Sequence, residues 1–108
     1  MYQIRIYTLR TTEALQQYAT VHWPRHLTSM PSFGVTVHGF WTDHQAHQAG
    51  ALRLIALLSF RKGTDPAEVT TAYLASPELA ADMHGFDVSD IVSVEELLLD
   101  PVAGSPLA

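Results

Sequence analysis

The 108-residue sequence contains no cysteine. This absence excludes disulfide bonds, thiolate metal sites and cysteine nucleophiles. Serine-nucleophile signatures, phosphate-binding glycine loops and dinucleotide fingerprints are absent as well. The six histidines are therefore the groups that remain for proton chemistry near neutral pH.

Positive charge is also scarce. Six Lys and Arg residues stand against eleven Asp and Glu residues, the formal net charge is -5, and no basic run exists. We therefore expect no nucleic-acid binding. No apolar run is long enough to span a bilayer, and the N-terminus lacks the charged-then-apolar layout of a signal peptide. We expect no membrane association and a cytoplasmic location.

Four segments have the composition of β-strands. Residues 2–9 alternate in polarity, with β-branched and aromatic side chains, which predicts a strand with two different faces. Residues 34–42, 52–60 and 91–99 predict three more strands, and Gly39 is a candidate bulge in the second.

Helix signals lie between these strands. Thr11 or Thr12 can cap a first helix, and we expect Pro24 to end or kink it, with a turn following to residue 30. Asp65 and Ser76 each precede a proline, which is typical of the start of a helix. The element order β-α-β-β-α-β predicts an α+β, ferredoxin-like fold, with a four-stranded antiparallel sheet and helices on one face. Residues 1–100 form this domain, 43–50 a polar surface loop and 101–108 a C-terminal tail.

The other face of the sheet predicts a homodimer. The third strand is apolar at nearly every position, and Leu97, Leu98 and Leu99 follow one another in the fourth. Helices can cover only one side of these strands, and an uncovered apolar sheet face invites aggregation. Charged residues make up only 16% of the chain, against 47% hydrophobic residues. A second copy of the chain, packed sheet against sheet, would cover the apolar face and would account for the low content of charged residues.

Three stretches resemble the NIPSNAP family: YQIRIYTLR at the N-terminus, HWPRH in the first helix, and FGVTVHGFWT in the second strand. The resemblance covers residues 2–100 and implies a dimeric α+β barrel, in which two ferredoxin-like sheets join. That superfamily includes cofactor-free monooxygenases, polyketide cyclases, muconolactone-type isomerases, haem-degrading enzymes and members with no known activity. The resemblance thus implies fold and dimer, and leaves the reaction open.

His22 and His26 are the predicted acid–base groups. They lie four residues apart beside Trp23, and a partly buried imidazole can pass a proton in either direction. The same spacing on a helix could bind a metal ion, although Pro24 lies between them and no third ligand is near in sequence. Surface or capping histidines are the third interpretation. We predict no metal site and no organic cofactor.

Arg5 and Tyr7 share one face of the first strand. Facing a pocket, Arg5 could hold an anionic or enolate oxygen and Tyr7 could donate a hydrogen bond to it. The alternative is an ion pair between subunits, from Arg5 to Glu95 or Glu96.

Aromatic residues and the other histidines are candidates for the pocket wall. Phe40 and Trp41 must point to opposite faces of their strand, and core packing is the alternative for each. His84 precedes Gly85, where it could instead interact with a helix C-terminus, and His44 and His47 should be solvated. The predicted ligand-binding set is Tyr18, Trp23, His38, Phe40, Trp41 and His84.

The sequence thus predicts a homodimer that binds a small hydrophobic carbonyl or aromatic, polyketide-like molecule. The reaction we expect is a cofactor-free proton transfer, a cyclisation or isomerisation, or an oxygenation, with histidine as acid or base. The alternatives are a non-catalytic ligand-binding or assembly module and, third, a haem-binding protein.

Overall fold

The computed structural model describes residues 1–48 and 50–107, so Ala49 of the predicted loop and Ala108 of the predicted tail lie outside the description. Helices and strands follow in the order that the sequence predicts. The strands are β1 (Tyr2–Leu9), β2 (Val35–Thr42), β3 (Arg53–Phe60) and β4 (Ile91–Leu99). The helices are α1 (Thr12–Gln17), a π-helical turn (Tyr18–His22), α2 (Trp23–Ser29), α3 (Pro66–Leu74) and α4 (Pro77–Asp82), with 3-10 turns at Met30–Phe33 and Val88–Asp90.

The four strands form one antiparallel sheet in the order β2-β3-β1-β4, with the helices on one side. The predicted ferredoxin-like arrangement is confirmed. Alternate residues of β1 and β3 are buried under the helices, and the residues between them are only half-buried. The core therefore lies between helices and sheet, and the opposite, open face carries Ile4, Ile6, Ile55 and Leu57.

The helix caps are those that the sequence predicts. Thr11 Oγ1 accepts from the backbone N–H of Ala14 at 3.0 Å, and Asp65 Oδ1 accepts from that of Ala67 at 2.9 Å. Each cap satisfies an amide that has no partner inside the helix.

Pro24 does not end the first helix, and this part of our prediction is wrong. The chain remains helical from Thr12 through Ser29, and no turn follows Pro24. The turn before it widens into a π-helix, in which the N–H of Trp23 donates to the carbonyl of Tyr18, five residues back. Pro24 can then occupy the first turn of α2, where a missing N–H costs little. Isolated π-helical turns are frequent at functional sites.

Gly39 marks an irregularity in β2, as predicted. The register with β3 shifts between Val37 and Gly39, so His38 is the extra residue of the bulge. A Cβ atom on Gly39 would come within 2.7 Å of the Trp41 ring. The glycine thus lets the indole lie flat over the strand on the open face of the sheet.

The connecting segments are polar or exposed. In the loop after β2, the guanidinium of Arg53 donates to Asp43 Oδ2 at 2.6 Å and 3.1 Å. Residues 100–107 form no helix or strand, and Val102 is 77% exposed. Among the described residues, no helix combines the length and apolarity needed to cross a membrane.

Candidate active site

A cavity of about 230 Å³ lies between the helices and the sheet. It is smaller than most ligand pockets, which measure roughly 300–1,000 Å³. Its polar and aromatic lining comes from β1, the π-helical turn, α2 and α3, and its apolar lining comes mainly from α3, α4 and β4. The polar and aromatic lining residues are Arg5, Tyr7, Tyr18, His26, Thr70 and Tyr73.

A chain of short hydrogen bonds leads from this cavity into the core. His26 Nδ1 lies 2.5 Å from the Tyr73 hydroxyl oxygen, and that hydroxyl lies 2.5 Å from Asp82 Oδ2. His26 Nδ1 is also 3.5 Å from the same carboxylate oxygen. All three residues are buried, and Ser29 donates to the second oxygen of Asp82 at 3.0 Å. The chain joins α2, α3 and α4 at one point.

The direction of these bonds determines the tautomer of His26. Tyr73 has one hydroxyl proton, and it donates this proton to the Asp82 carboxylate. The hydroxyl oxygen can then only accept from His26, so Nδ1 carries the hydrogen. Nε2 keeps its lone pair, and no described residue hydrogen-bonds to it. A ring nitrogen with base character therefore remains available at the cavity, oriented by a hydroxyl and a carboxylate behind it.

Burial lowers the pKa of His26 to about 4, although the neighbouring Asp82 acts in the opposite direction. The imidazole is thus neutral at pH 7. Burial also raises the pKa of the Tyr73 phenol, and its hydrogen bond to Asp82 adds to this effect. Tyr73 therefore stays protonated, and its hydroxyl links the imidazole of His26 to the carboxylate of Asp82.

The β1 side of the cavity carries a cation and two phenols. Arg5 is only 6% exposed; its Nε donates to Gln3 Oε1 at 2.6 Å and its Nη2 to Thr70 Oγ1 at 2.9 Å. Tyr7 and Tyr18 contact each other edge to face, with ring centroids 5.3 Å apart. Burial raises the pKa of Tyr18 well above its usual range, so its hydroxyl remains a hydrogen-bond donor.

His22 has a different environment from His26, although both are buried on the same helical segment. Its Nδ1 lies 2.7 Å from the backbone carbonyl of Asp82, and its Nε2 lies 3.1 Å from the side-chain amide of Gln17. Both nitrogens are used inside the fold, and His22 does not line the cavity. These two contacts are typical of a structural residue, and the one with Asp82 connects α4 to the first helical segment.

Trp23 and Phe40 lie behind the wall of the cavity. Trp23 is fully buried and contacts Phe40 at a centroid distance of 5.6 Å and His26 at 5.1 Å. Its indole N–H, although near the Tyr18 hydroxyl, makes no hydrogen bond to a described residue. Both rings therefore pack against the site without lining it.

The remaining predicted residues lie elsewhere. His38 and Trp41 are exposed on the open face of the sheet, where His38 Nε2 lies 2.7 Å from Ser59 Oγ. His84 is exposed after α4, and its backbone carbonyl accepts from Arg25 at 3.3 Å. The structure thus brings together Arg5, Tyr7, Tyr18 and His26 from the predicted set.

Sequence reasoning missed Tyr73 and Asp82. One signal was available for Asp82: Leu79, Asp82 and Met83 share one face of α4 by helical spacing, and a carboxylate between two apolar residues is unusual there. No group of three or more potential metal ligands occurs in the part of the chain that the structure describes.

A larger depression of about 420 Å³ lies on the open face, between the sheet and the C-terminal tail. Its lining includes Tyr2, Ile4, Leu57 and the carboxylate of Asp100, but no histidine and no cation. We therefore place the candidate site at the smaller cavity, where acid–base groups converge.

Solved structures share this architecture. A NIPSNAP domain protein from Burkholderia xenovorans superposes with a TM-score of 0.73 at 16% identity, over 97% of each chain. A NIPSNAP family protein of unknown function from Agrobacterium tumefaciens gives 0.73 at 22% identity, over 99% of this chain and 92% of that one. The chain has the NIPSNAP fold.

A NIPSNAP-like domain protein from Burkholderia xenovorans gives a TM-score of 0.68 at 24% identity, over 97% of this chain and 87% of that one. No protein-family model and no curated protein matches the sequence. The NIPSNAP fold implied by the sequence resemblance is therefore confirmed by structure, and function must be argued from the site itself.

Proposed function

We propose that this NIPSNAP-fold protein binds a small carbonyl or aromatic compound in the cavity and transfers a proton at an activated carbon. His26 Nε2 is the base, and Tyr73 and Asp82 orient it. Arg5, Tyr7 and Tyr18 stabilise the negative charge that develops on the substrate oxygen. The observation that carries the proposal is the hydrogen-bond chain His26–Tyr73–Asp82: His26 lines the cavity, and its second ring nitrogen has no partner among the residues that the structure describes.

The arrangement follows the logic of other oriented bases. A carboxylate that fixes the tautomer of an imidazole also stabilises the imidazolium formed when the base takes a proton. Here a tyrosine hydroxyl transmits that effect over the 3.5 Å between His26 Nδ1 and Asp82 Oδ2. The scheme uses no cysteine and no metal ion. We assign no catalytic role to His22, because neither of its ring nitrogens is free.

Exchange of carbon-bound hydrogen with deuterium tests this proposal. A panel of small ketones and aryl-substituted carbonyl compounds is incubated with the protein in D₂O, and NMR measures deuterium uptake at the activated carbon. We expect His26→Gln to slow protein-catalysed exchange by about 10²–10⁴-fold, the usual contribution of general acid–base catalysis. His84→Gln is the matched control, since His84 is exposed and does not line the cavity. Equal exchange rates for both variants would contradict the role of His26.

The second candidate is a non-catalytic ligand-binding module, and the lowered pKa of His26 favours it. An imidazole with a pKa of about 4 is a weak base in the empty cavity. It would then serve as a hydrogen-bond acceptor for the ligand. Compounds that bind without exchanging hydrogen, in a manner sensitive to His26→Gln, would support this module. The cavity of about 230 Å³ offers no room for haem.

We also propose that the protein is a homodimer that pairs through the open face of the sheet. Trp41 is 54% exposed and Leu97 58% exposed there, beside Ile4, Ile55 and Leu57. Exposed apolar area of this kind on a sheet face is typical of an interface between chains. In such a dimer, Arg5 faces its own helices, which argues against the alternative of an ion pair between subunits.

A further inference from the structure

Arg5 is a buried cation without an acidic partner. It lines the cavity, and its hydrogen bonds to described residues go only to the neutral side chains of Gln3 and Thr70. None of the ion pairs within residues 1–48 and 50–107 includes it. An unpaired buried charge is unfavourable by several kcal/mol in general, so proteins rarely contain one without a purpose.

Glu96 is the nearest acidic residue in the sheet register, directly opposite Arg5 on β4. It is exposed, and it accepts instead from the Gln3 amide at 3.4 Å. Gln3 in turn directs its carbonyl oxygen at Arg5 Nε. The glutamate thus orients Gln3, and Gln3 orients the guanidinium, while Nη1 of Arg5 makes no hydrogen bond to a described residue.

The rest of the cavity lining indicates the size and polarity of the ligand. Apolar side chains face the polar wall, and the cavity volume of about 230 Å³ limits the ligand to a small molecule. These apolar residues are Met30, Leu74, Leu79, Met83, Val88, Ile91 and Val94.

We infer that the natural ligand is a small organic acid whose carboxylate binds Arg5 while its apolar body packs against α4 and β4. This inference rests on the proposed function, because it names the substrate class of the same site. A guanidinium suits a carboxylate, since its planar donors match both oxygens. A carboxylate in the cavity also favours the protonated form of His26, which makes the ring a stronger base when the substrate is bound.

The test compares benzoate with benzamide, which has nearly the same shape and no charge. Dissociation constants are measured by isothermal titration calorimetry for the full chain and for Arg5→Gln. We expect benzoate to bind the native protein about 10- to 100-fold more tightly than benzamide, and Arg5→Gln to abolish this preference. Arg61→Gln is the matched control, because it removes one exposed charge outside the cavity.

Stability provides a second readout that does not depend on a ligand. If the function of Arg5 is to bind an anionic ligand, Arg5→Gln should leave the melting temperature of the ligand-free protein unchanged or raise it. A lower melting temperature would show that the charge of Arg5 stabilises the ligand-free fold and would overturn the inference.

The outcomes separate the two proposals. Equal binding of benzoate and benzamide, both weakened by His26→Gln, overturns the organic-acid inference and leaves the proposed function intact. Failure of benzoate to bind at all overturns the inference as well, whereas the exchange experiment tests the proposed function independently with neutral carbonyl compounds.

Discussion

At the scale of single residues, burial separates two histidines that look equivalent in sequence. Both lie on one helical segment and both are buried. The ring nitrogens of His22 contact Gln17 and the Asp82 backbone, whereas Nε2 of His26 has no partner among the described residues. The Nδ1 contacts of the two rings depend on residues 47 and 60 positions away in the chain, whereas the amide that occupies Nε2 of His22 belongs to Gln17, five positions away.

The lowered pKa of His26 predicts a specific pH dependence of stability. The unfolded chain, with a histidine pKa of 6.5, binds a proton more readily than the folded protein, with a pKa of about 4. Unfolding therefore takes up a proton between these values, and stability falls as the pH drops through this window. The full effect is about 3 kcal/mol. Urea unfolding at pH 7 and at pH 4.5 measures it.

His26→Gln should remove this contribution, whereas His44→Gln, an exposed loop variant, should retain it. An identical loss of stability on acidification in both variants would show that other groups cause the effect.

Tyr73→Phe should disturb the site in a defined direction. Removing the hydroxyl leaves the Asp82 carboxylate without its shortest hydrogen bond, which destabilises the protein by about 1–3 kcal/mol. The carboxylate then acts on His26 directly, so the pKa of His26 rises. Thermal unfolding and an NMR titration of the histidine ring check both parts. A variant with native stability and an unchanged pKa of His26 would show that the hydroxyl does not couple the two residues.

At the scale of elements, short helices carry the geometry of the proposed site. α4 has only six residues, and it holds Asp82 at its last position. Ser76 caps its start, accepting from the N–H of Leu79 at 3.1 Å, and also donates to the Tyr73 carbonyl at 2.6 Å. The cap thus ties the ends of α3 and α4 together beside the site.

We predict that Ser76→Ala lowers the free energy of unfolding by about 1 kcal/mol, which is typical for the loss of an N-cap. Ser76→Asp keeps a capping oxygen and should recover most of this loss. Chemical denaturation of both variants decides the matter, and equal stability of the two would argue against the capping role.

The helices and strands that have local sequence signals could be predicted from the sequence, whereas the site could be predicted only in part. The alternation of β1 and the caps at Thr11, Asp65 and Ser76 depend on neighbouring residues, so sequence alone defines them. The rule that proline ends a helix fails at Pro24, because a π-helical turn accommodates this residue. The bond from His26 to Tyr73 joins residues 47 positions apart, and only the packing of α3 on α2 creates it.

At the scale of the whole molecule, the sheet has one covered face and one open face. Two leucines of β4 lie on different faces: Leu97 is on the open face, whereas Leu98 is opposite Gln3 on the helix side, where it is half-exposed beside α3. Leu57 lies at the centre of the open face, between Ile4 of β1 and Gly39 of β2.

Leu57→Asp should therefore disrupt the proposed dimer, and we expect aggregation or unfolding rather than a well-behaved monomer, since a buried unpaired carboxylate costs several kcal/mol. Sedimentation velocity at micromolar concentration measures the state of the native protein and of the variant. Glu68→Asp, an exposed change on α3, is the control. A native protein that sediments as a monomer would contradict the dimer.

The central claim is that His26 presents a neutral, oriented base to the cavity. Nitrogen-15 NMR of the histidine rings at pH 7 tests it most directly, because the two ring nitrogens report separately whether each carries hydrogen. We predict that hydrogen is on Nδ1 of His26, that Nε2 is unprotonated, and that the ring titrates near pH 4. A hydrogen on Nε2, or a charged ring at pH 7, would contradict it.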